Sequence, residues 1–117
     1  MTTQQVANRF MELARQGKNI EIQEELFDEN VECIEPAHAP NKGTKGKKAV
    51  LDRLKGWYAG VEAMHGSALT EAIVMGKFFA VGSMADLTIK GAGKVKLEEM
   101  GVYEVKNGKI VKEQYFY

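Results

Sequence analysis

The chain has 117 residues, with 16 basic and 16 acidic side chains and a sequence pI of about 6.7. This length favours one domain over residues 1–117 with a single core, and the balanced charge argues against a nucleic-acid-binding protein, which normally carries a basic excess. No apolar run approaches the roughly 20 residues of a membrane span, and the N-terminus lacks a signal-peptide core. The single cysteine, Cys33, excludes an internal disulfide and fits a reducing compartment. We therefore expect a soluble, cytoplasmic domain with no nucleic-acid or membrane partner.

The N-terminal part is predicted to begin with two helices and a strand. Thr2-Thr3-Gln4-Gln5 has the pattern of a capping box, and the first helix that it opens is predicted to end near Gly17. A shorter helix is predicted over 20–27 and a strand over 31–35, which Pro36 ends. The following loop, to residue 46, is rich in proline and glycine.

The longest helix is predicted after this loop. Apolar side chains recur there at helical spacing over roughly 18 residues, until Gly66 closes the helix. These side chains are Val50, Leu54, Trp57, Tyr58, Val61 and Met64. Trp57 and Tyr58 are adjacent and therefore point about 100° apart, so only one of them can face fully inward.

The rest of the chain is predicted to be sheet. Four strands are expected over 67–75, 78–90, 95–106 and 109–117, with turns at Gly76-Lys77, Gly91-Ala92-Gly93 and Asn107-Gly108. Asn-Gly between alternating β-formers supplies the two positive-φ residues of a type I′ hairpin turn. Helices followed by an antiparallel meander predict an α+β domain, in which three N-terminal helices pack on the concave face of a conical, curved antiparallel sheet.

One carboxylate stands out on the face of this sheet that is expected to meet the helices. A glycine turn centred on Ala92 puts the odd-numbered residues of two strands on one face, which is apolar except for Ser83, Glu99 and the amphipathic Tyr103. Ala85 is expected opposite Glu99, so small neighbours leave a hole beside it. Desolvation there raises the pKa of a carboxyl and suits general acid or base catalysis. The alternatives are that Glu99 lies at the open rim, is turned outward by a bulge, or forms a buried hydrogen bond or salt bridge.

The last hairpin has two possible registers. Simple pairing across Asn107-Gly108 brings Lys112 and Gln114 to the face of Glu99. One bulge would instead bring Glu113, Tyr115 and Tyr117 to that face. In the simple register the other face carries Met84, Met100, Val102, Val111, Tyr115 and Tyr117. A sheet that is apolar on both faces must bury both of them against other parts of the chain or a partner.

Two further motifs do not meet the criteria for a phosphate-binding or metal-binding site. The lysine-rich loop 42–48 lacks the Walker A pattern, because Lys48 occupies the Ser/Thr position. It is interpreted as a solvated loop, with a bound anion at the following helix as the alternative. Cys33, His38 and His65 lack the spacing of metal ligands, so no metal site is predicted.

Particular segments resemble the nuclear transport factor two-like superfamily, in its SnoaL-like branch. They are the helix ending RQGKN, then LFDENVECIEP, the loop reaching TKGKKAV and the closing VYEVKNGKIVKEQYFY. The family includes ketosteroid isomerases, polyketide cyclases, epoxide hydrolases, dehydratases and binding or transport domains. The resemblance implies a conical fold with a deep pocket between sheet and helices, and a homodimer through the sheet.

The resemblance also places residues in roles. Glu35-Pro36 falls where ketosteroid isomerases have the Asp-Pro of their proton-shuttling base. Their oxyanion tyrosine maps near Phe10 and their protonated acid near Gly101, neither of which carries the required group. His38, three residues past Glu35, could pair with it or be solvated.

Two functions are therefore expected from the sequence. The first is a cofactor-independent, SnoaL-like isomerase, cyclase or hydrolase, with Glu35 and Glu99 in proton transfer. Its small hydrophobic substrate would be bound by Phe10, His38, Trp57, Ser83, Tyr103 and Gln114. The alternative is a non-catalytic module of the same fold that binds a hydrophobic ligand or dimerises.

Overall fold

The structure, a computed structural model, describes residues 1–117 as three helices and seven strands. In chain order these are α1 Thr3–Arg15, α2 Asn19–Leu26, β1 Phe27–Ile34, β2 Gly43–Lys45, α3 Lys47–Gly60, β3 Val61–Leu69, β4 Ile73–Met75, β5 Phe78–Ile89, β6 Gly93–Lys106 and β7 Lys109–Phe116. The predicted α+β class with a curved sheet is confirmed. No helix has the length and apolar character that crossing a membrane requires.

The start of α1 is the one the sequence predicts. Thr2 Oγ1 accepts a hydrogen bond from the Gln5 amide at 3.1 Å, and Gln5 Oε1 accepts one from the Thr2 amide at 2.8 Å. The two bonds satisfy amide groups that a helix N-terminus leaves free. After the helix, Gly17 adopts φ +72°, a left-handed conformation that favours glycine. The capping box and the stop at Gly17 are both confirmed.

The predicted third helix is too long. α3 ends at Gly60, and Val61 and Met64 lie on β3, which is paired with β5 through Val61↔Ile89 and Met64↔Leu87. Pairing with β5 satisfies the backbone of β3, and this long-range ladder outweighs the helical spacing of two apolar residues.

The sheet has the strand order β2-β1-β7-β6-β5-β3, with β4 also paired to β5. All pairs are antiparallel except β1 with β7, where Phe27 lies opposite Ile110 and Cys33 opposite Glu113. The sheet is therefore mixed rather than wholly antiparallel. β1 also begins at Phe27, earlier than predicted, because this parallel pairing extends it.

The β5–β6 hairpin keeps the predicted faces but shifts by two residues. Ile89 pairs with Gly93, so the loop is centred on Gly91 and Ser83 lies opposite Glu99. The expected neighbour, Ala85, is wrong and lies opposite Leu97 instead. Because a two-residue shift preserves parity, Glu99 stays on the face of the helices.

The β6–β7 hairpin follows the bulged register. Asn107 and Gly108 have φ of +53° and +75°, and Lys106 pairs with Lys109 as predicted. A bulge then follows between the pairs Val105↔Ile110 and Glu104↔Lys112, so that Glu113 and Tyr115 turn toward the helices. Gln114 lies opposite Val102 on the other face. The prediction that Gln114 contacts a ligand on the concave face is therefore wrong.

Candidate active site

Both oxygens of the Glu35 carboxylate accept hydrogen bonds. Its side chain is 8% exposed, and Oε1 accepts a hydrogen bond from Arg53 Nη2 at 3.0 Å. Oε2 accepts one from the Tyr117 hydroxyl at 2.8 Å. Arg53 is itself anchored, because its Nη1 donates to Thr44 Oγ1 at 3.1 Å. The result is an oriented anion with a fixed cationic partner.

The local fold explains how these groups meet. Pro36 follows Glu35, and the chain then returns as β2, which puts Thr44 opposite Cys33. The approach of β2 requires glycine at position 43, because a Cβ there would lie 2.7 Å from the Cys33 carbonyl oxygen. Arg53 reaches the site from α3, the next element.

Glu99 lies on the same face as Glu35 but differs from it in having no ion-pair partner. It is partly buried on β6, and none of the nine salt bridges of the structure involves it. Burial, and secondarily the negative charge of Glu35, raise the pKa of Glu99. The charge of Glu35 therefore acts on Glu99 in the same sense as burial, and it disfavours the ionised form of Glu99. Unlike Glu35, Glu99 has no cationic partner.

A third carboxyl, Glu113, lies on the same face, opposite Tyr103 on one side and Cys33 on the other. Its residue is 3% exposed, and burial raises its pKa from 4.5 to about 7. The neighbouring Tyr115 hydroxyl and Cys33 thiol oppose this rise in pKa, while the charges of Glu99 and Glu35 add to it. Burial also raises the pKa of the Cys33 thiol, which therefore stays protonated. The sequence showed Glu113 here only as the bulged alternative.

Phe10 and Tyr103 form the closed end of the concave face. With Phe79 they make an aromatic cluster, with ring centroids 4.7 Å apart for Phe10 and Tyr103 and 4.8 Å apart for the stacked pair of Phe79 and Tyr103. Phe10 and Tyr103 are only 7% and 5% exposed. They act as core residues in this structure, and ligand contact by them stays a prediction.

The remaining predicted residues are more exposed than this aromatic cluster. His38 is exposed, and its ring meets that of Tyr117 edge-on at 5.5 Å rather than pairing with Glu35. Trp57 is 41% exposed and lies one helical turn from Arg53, so the two share a side of α3. Ser83, opposite Glu99, is partly buried. Their roles as ligand contacts stay predictions.

Sequence reasoning missed Arg53, and it gave Tyr117 only as part of the bulged register, without its bond to Glu35. Both reach Glu35 from distant parts of the chain, 18 and 82 residues away, so no local motif joins them. One signal for the bulge was available, because the adjacent apolar residues Ile110 and Val111 break the alternation of β7.

Hollows and clusters away from this site carry no comparable chemistry. Hollows of about 360 Å³ at the N-terminus of α3 and about 310 Å³ beside His65 lie elsewhere on the surface. At the first hollow, Lys47 donates to the Glu24 carbonyl at 2.6 Å and Lys48 is paired with Asp52 at 2.9 Å. No three histidine, cysteine, aspartate or glutamate side chains are grouped to hold a metal ion.

The fold and site together define a class: a small α+β domain whose concave sheet face carries coupled carboxyls. The model of the SnoaL-like domain matches residues 1–117. The chain therefore belongs to the SnoaL-like domain family. A comparison with curated proteins gave no match.

Solved structures agree with this family. A protein from Mesorhizobium loti, described as a proposed SnoaL-like polyketide cyclase and, in brackets, a carbohydrate phosphatase, is 33% identical over 100% of both chains, with a TM-score of 0.94. A proposed isomerase from Bacillus subtilis is 19% identical, with 98% of this chain and 88% of that chain covered and a TM-score of 0.77. A Catenulispora acidiphila protein with a ketosteroid isomerase-like fold, in complex with trimethylamine, is 17% identical, with coverage of 84% and 73% and a TM-score of 0.68. At these lower identities the last two show the fold alone.

Proposed function

We propose that this protein is a cytoplasmic, cofactor-independent enzyme that transfers a proton on a small hydrophobic substrate bearing a carbonyl group. An isomerase or cyclase reaction fits this description best. The observation that carries the proposal is the position of two different carboxyls on one concave face: Glu35, which is fixed by Arg53, and Glu99, which forms no salt bridge. The description of the Mesorhizobium loti protein as a proposed SnoaL-like polyketide cyclase supports it.

Glu99 and Glu35 have different roles in the proposed reaction. Glu99 in its ionised form takes a proton from the carbon next to the carbonyl, and the enol or enolate that results is reprotonated at another atom. The negative charge of Glu35 makes Glu99 a stronger base, because it disfavours a second negative charge nearby. Since Glu35 is already bound on both oxygens, it acts as a fixed anion while Glu99 exchanges the proton.

The surroundings of Glu99 suit a hydrophobic substrate. On the concave face, Met64, Leu69 and Leu97 are 53%, 38% and 36% exposed. Trp57, on α3, is 41% exposed. Such side chains bind apolar groups, while few polar groups fix the orientation. A non-catalytic module that binds hydrophobic ligands on this face is the second candidate, because these apolar side chains bind a ligand whether or not a proton is transferred.

Replacing Glu99 with glutamine is expected to slow proton exchange by at least about 100-fold, because the amide cannot accept the substrate proton. The measurement is deuterium incorporation next to the carbonyl of a panel of hydrophobic cyclic ketones in D₂O, followed by proton NMR. Glu98→Gln is the matched control, since Glu98 is the exposed neighbour on the opposite face.

Two results would contradict this function. Equal exchange rates in the wild type and Glu99→Gln would remove Glu99 from the reaction. Ketones that bind without any exchange would favour the non-catalytic binding module instead.

We also propose that the sheet face opposite the helices packs against the same face of a second copy of the chain, which forms a homodimer. Met84, Met100 and Phe116 are 49%, 47% and 47% exposed there, and Met100 pairs directly with Phe116. Three large apolar side chains on neighbouring strands form a patch that burial in a homodimer would stabilise.

Met100→Lys is expected to convert a dimer to a monomer, because the patch cannot bury an unpaired charge. The mass in solution is measured by light scattering after size-exclusion chromatography. Met64→Lys is the control, since Met64 is 53% exposed but lies opposite Leu87 on the concave side. A monomeric wild type, or an intact dimer of Met100→Lys, would refute the proposed interface.

A further inference from the structure

The two oxygens of Glu35 have different surroundings. Oε1 is bound to Arg53, whose side chain is 33% exposed and is held in turn by Thr44. Oε2 is bound to Tyr117, which is 52% exposed. Oε2 is therefore the oxygen that a group from solution can reach, provided that Tyr117 leaves it.

Tyr117 can move away from Glu35 with little loss of packing. It follows β7, which ends at Phe116, and it takes no part in the ladder of strand pairs. It donates a hydrogen bond to Glu35, and its ring packs edge-on against His38 at 5.5 Å. His38 is exposed as well, so movement of the Tyr117 ring opens no cavity in the core.

We propose that Tyr117 is an internal occupant of a ligand site, and that a hydroxyaryl ligand displaces it and donates its own hydroxyl to Oε2 of Glu35. The ring of such a ligand lies beside His38, as the ring of Tyr117 does now. The proposal uses the same concave site as the proposed function, and it concerns binding alone.

The chemistry of the acceptor selects the ligand. An ionised carboxylate accepts hydrogen bonds and donates none, so the group that replaces the Tyr117 hydroxyl must be a donor. A phenol supplies that donor together with a flat apolar ring. An aryl ether has the ring without the donor, and its oxygen would leave Oε2 without a partner.

Competition from the tethered tyrosine weakens the binding of a free phenol. A side chain attached to the protein is present at an effective concentration in the millimolar range. When the competent, open state is a minor fraction, the apparent affinity falls by that fraction. Partial burial and the charge of Glu35 raise the pKa of Tyr117 to about 12, so its hydroxyl keeps its proton and its hydrogen bond at neutral pH.

The test uses 4-methylphenol, which is the tyrosine side chain as a free molecule, titrated by NMR into the full chain. Tyr117→Ala is expected to bind it at least about tenfold more tightly than the wild type, because the competing hydroxyl is gone. 4-Methylanisole, which lacks the donor, is expected to show no such gain. Tyr58→Ala is the matched control, since Tyr58 is bonded to Asn19 at 2.6 Å, away from Glu35. Its affinity for 4-methylphenol is expected to equal that of the wild type.

Tyr117→Phe keeps the test decisive if the alanine variant does not fold. It keeps the ring but removes the hydroxyl, so it also frees Oε2, and 4-methylphenol is expected to bind it more tightly than the wild type. Equal affinities in the wild type and both variants would overturn the proposal. An equal gain for 4-methylanisole would overturn it too. Tighter binding to the variants without any proton exchange on ketones supports the displaced tyrosine and refutes the enzyme, so the two failures are distinguishable.

Discussion

Replacing Gly101 with alanine is expected to lower the free energy of unfolding by about 2–3 kcal/mol, at the upper end of what overpacking a core produces. A Cβ at this position would lie 2.5 Å from the Tyr103 hydroxyl oxygen and 2.8 Å from the adjacent ring carbon. The Tyr103 ring cannot easily yield, because it stacks on Phe79 at 4.8 Å and touches Phe10 at 4.7 Å. Urea unfolding followed by circular dichroism measures the change.

Gly56→Ala is the matched control. Gly56 lies inside α3, and a Cβ there meets nothing within 4 Å, so alanine is expected to raise stability by about 0.5–1 kcal/mol through helix propensity. If Gly101→Ala unfolds at the same urea concentration as the wild type, the packing of Tyr103 over Gly101 is wrong.

The same contact explains a departure from the isomerases. Their protonated acid maps near Gly101, and in this structure that space holds the Tyr103 hydroxyl. A carboxyl-bearing side chain at position 101 would displace the aromatic cluster. The acidic groups of this concave face therefore come from Glu99 and from Glu113, which lies opposite Tyr103 on β7.

The hairpins show which part of a register a sequence determines. Alternation has a period of two, so it determines which residues share a face but not the offset between strands. Glu99 was therefore placed on the correct face, while its neighbour was wrong by two residues because the glycine loop is centred on Gly91. Asn107-Gly108 determined both the turn and the first pair, and the bulge beyond it decided between Gln114 and Glu113.

The parts that were not predicted depend on long-range contacts. β1 and β7 are far apart in the sequence, and their parallel pairing is what puts Cys33 next to Glu113. In the same way β3 is a strand because β5 is there to pair with it. Local patterns carry no information about such partners, so the carboxyl Glu35 was found from sequence while its cation Arg53 was not.

Replacing Glu113 with glutamine is expected to stabilise the protein by about 3 kcal/mol at pH 8, because the amide avoids a buried charge. Burial raises the pKa of Glu113 from 4.5 to about 7, so the folded state keeps the proton over a range in which the unfolded state has released it. A raised carboxyl pKa therefore makes the wild type less stable as pH rises from about 4.5 to 7. Above pH 7 the loss is complete, and below pH 4.5 it vanishes.

The measurement is urea unfolding of both proteins between pH 4.5 and pH 8. The stability difference between variant and wild type is expected to grow by about 3 kcal/mol across this range, while Glu98→Gln, at an exposed position, leaves the pH dependence of the wild type unchanged. Glu99→Gln is expected to give a smaller change in the same direction, because Glu99 is only partly buried and its pKa is raised as well. A difference between Glu113→Gln and wild type that does not vary with pH would mean that Glu113 is ionised at no energetic penalty. In that case the burial of the Glu113 carboxyl would be wrong, and with it the electrostatic coupling of Glu113 to Glu35 and Glu99.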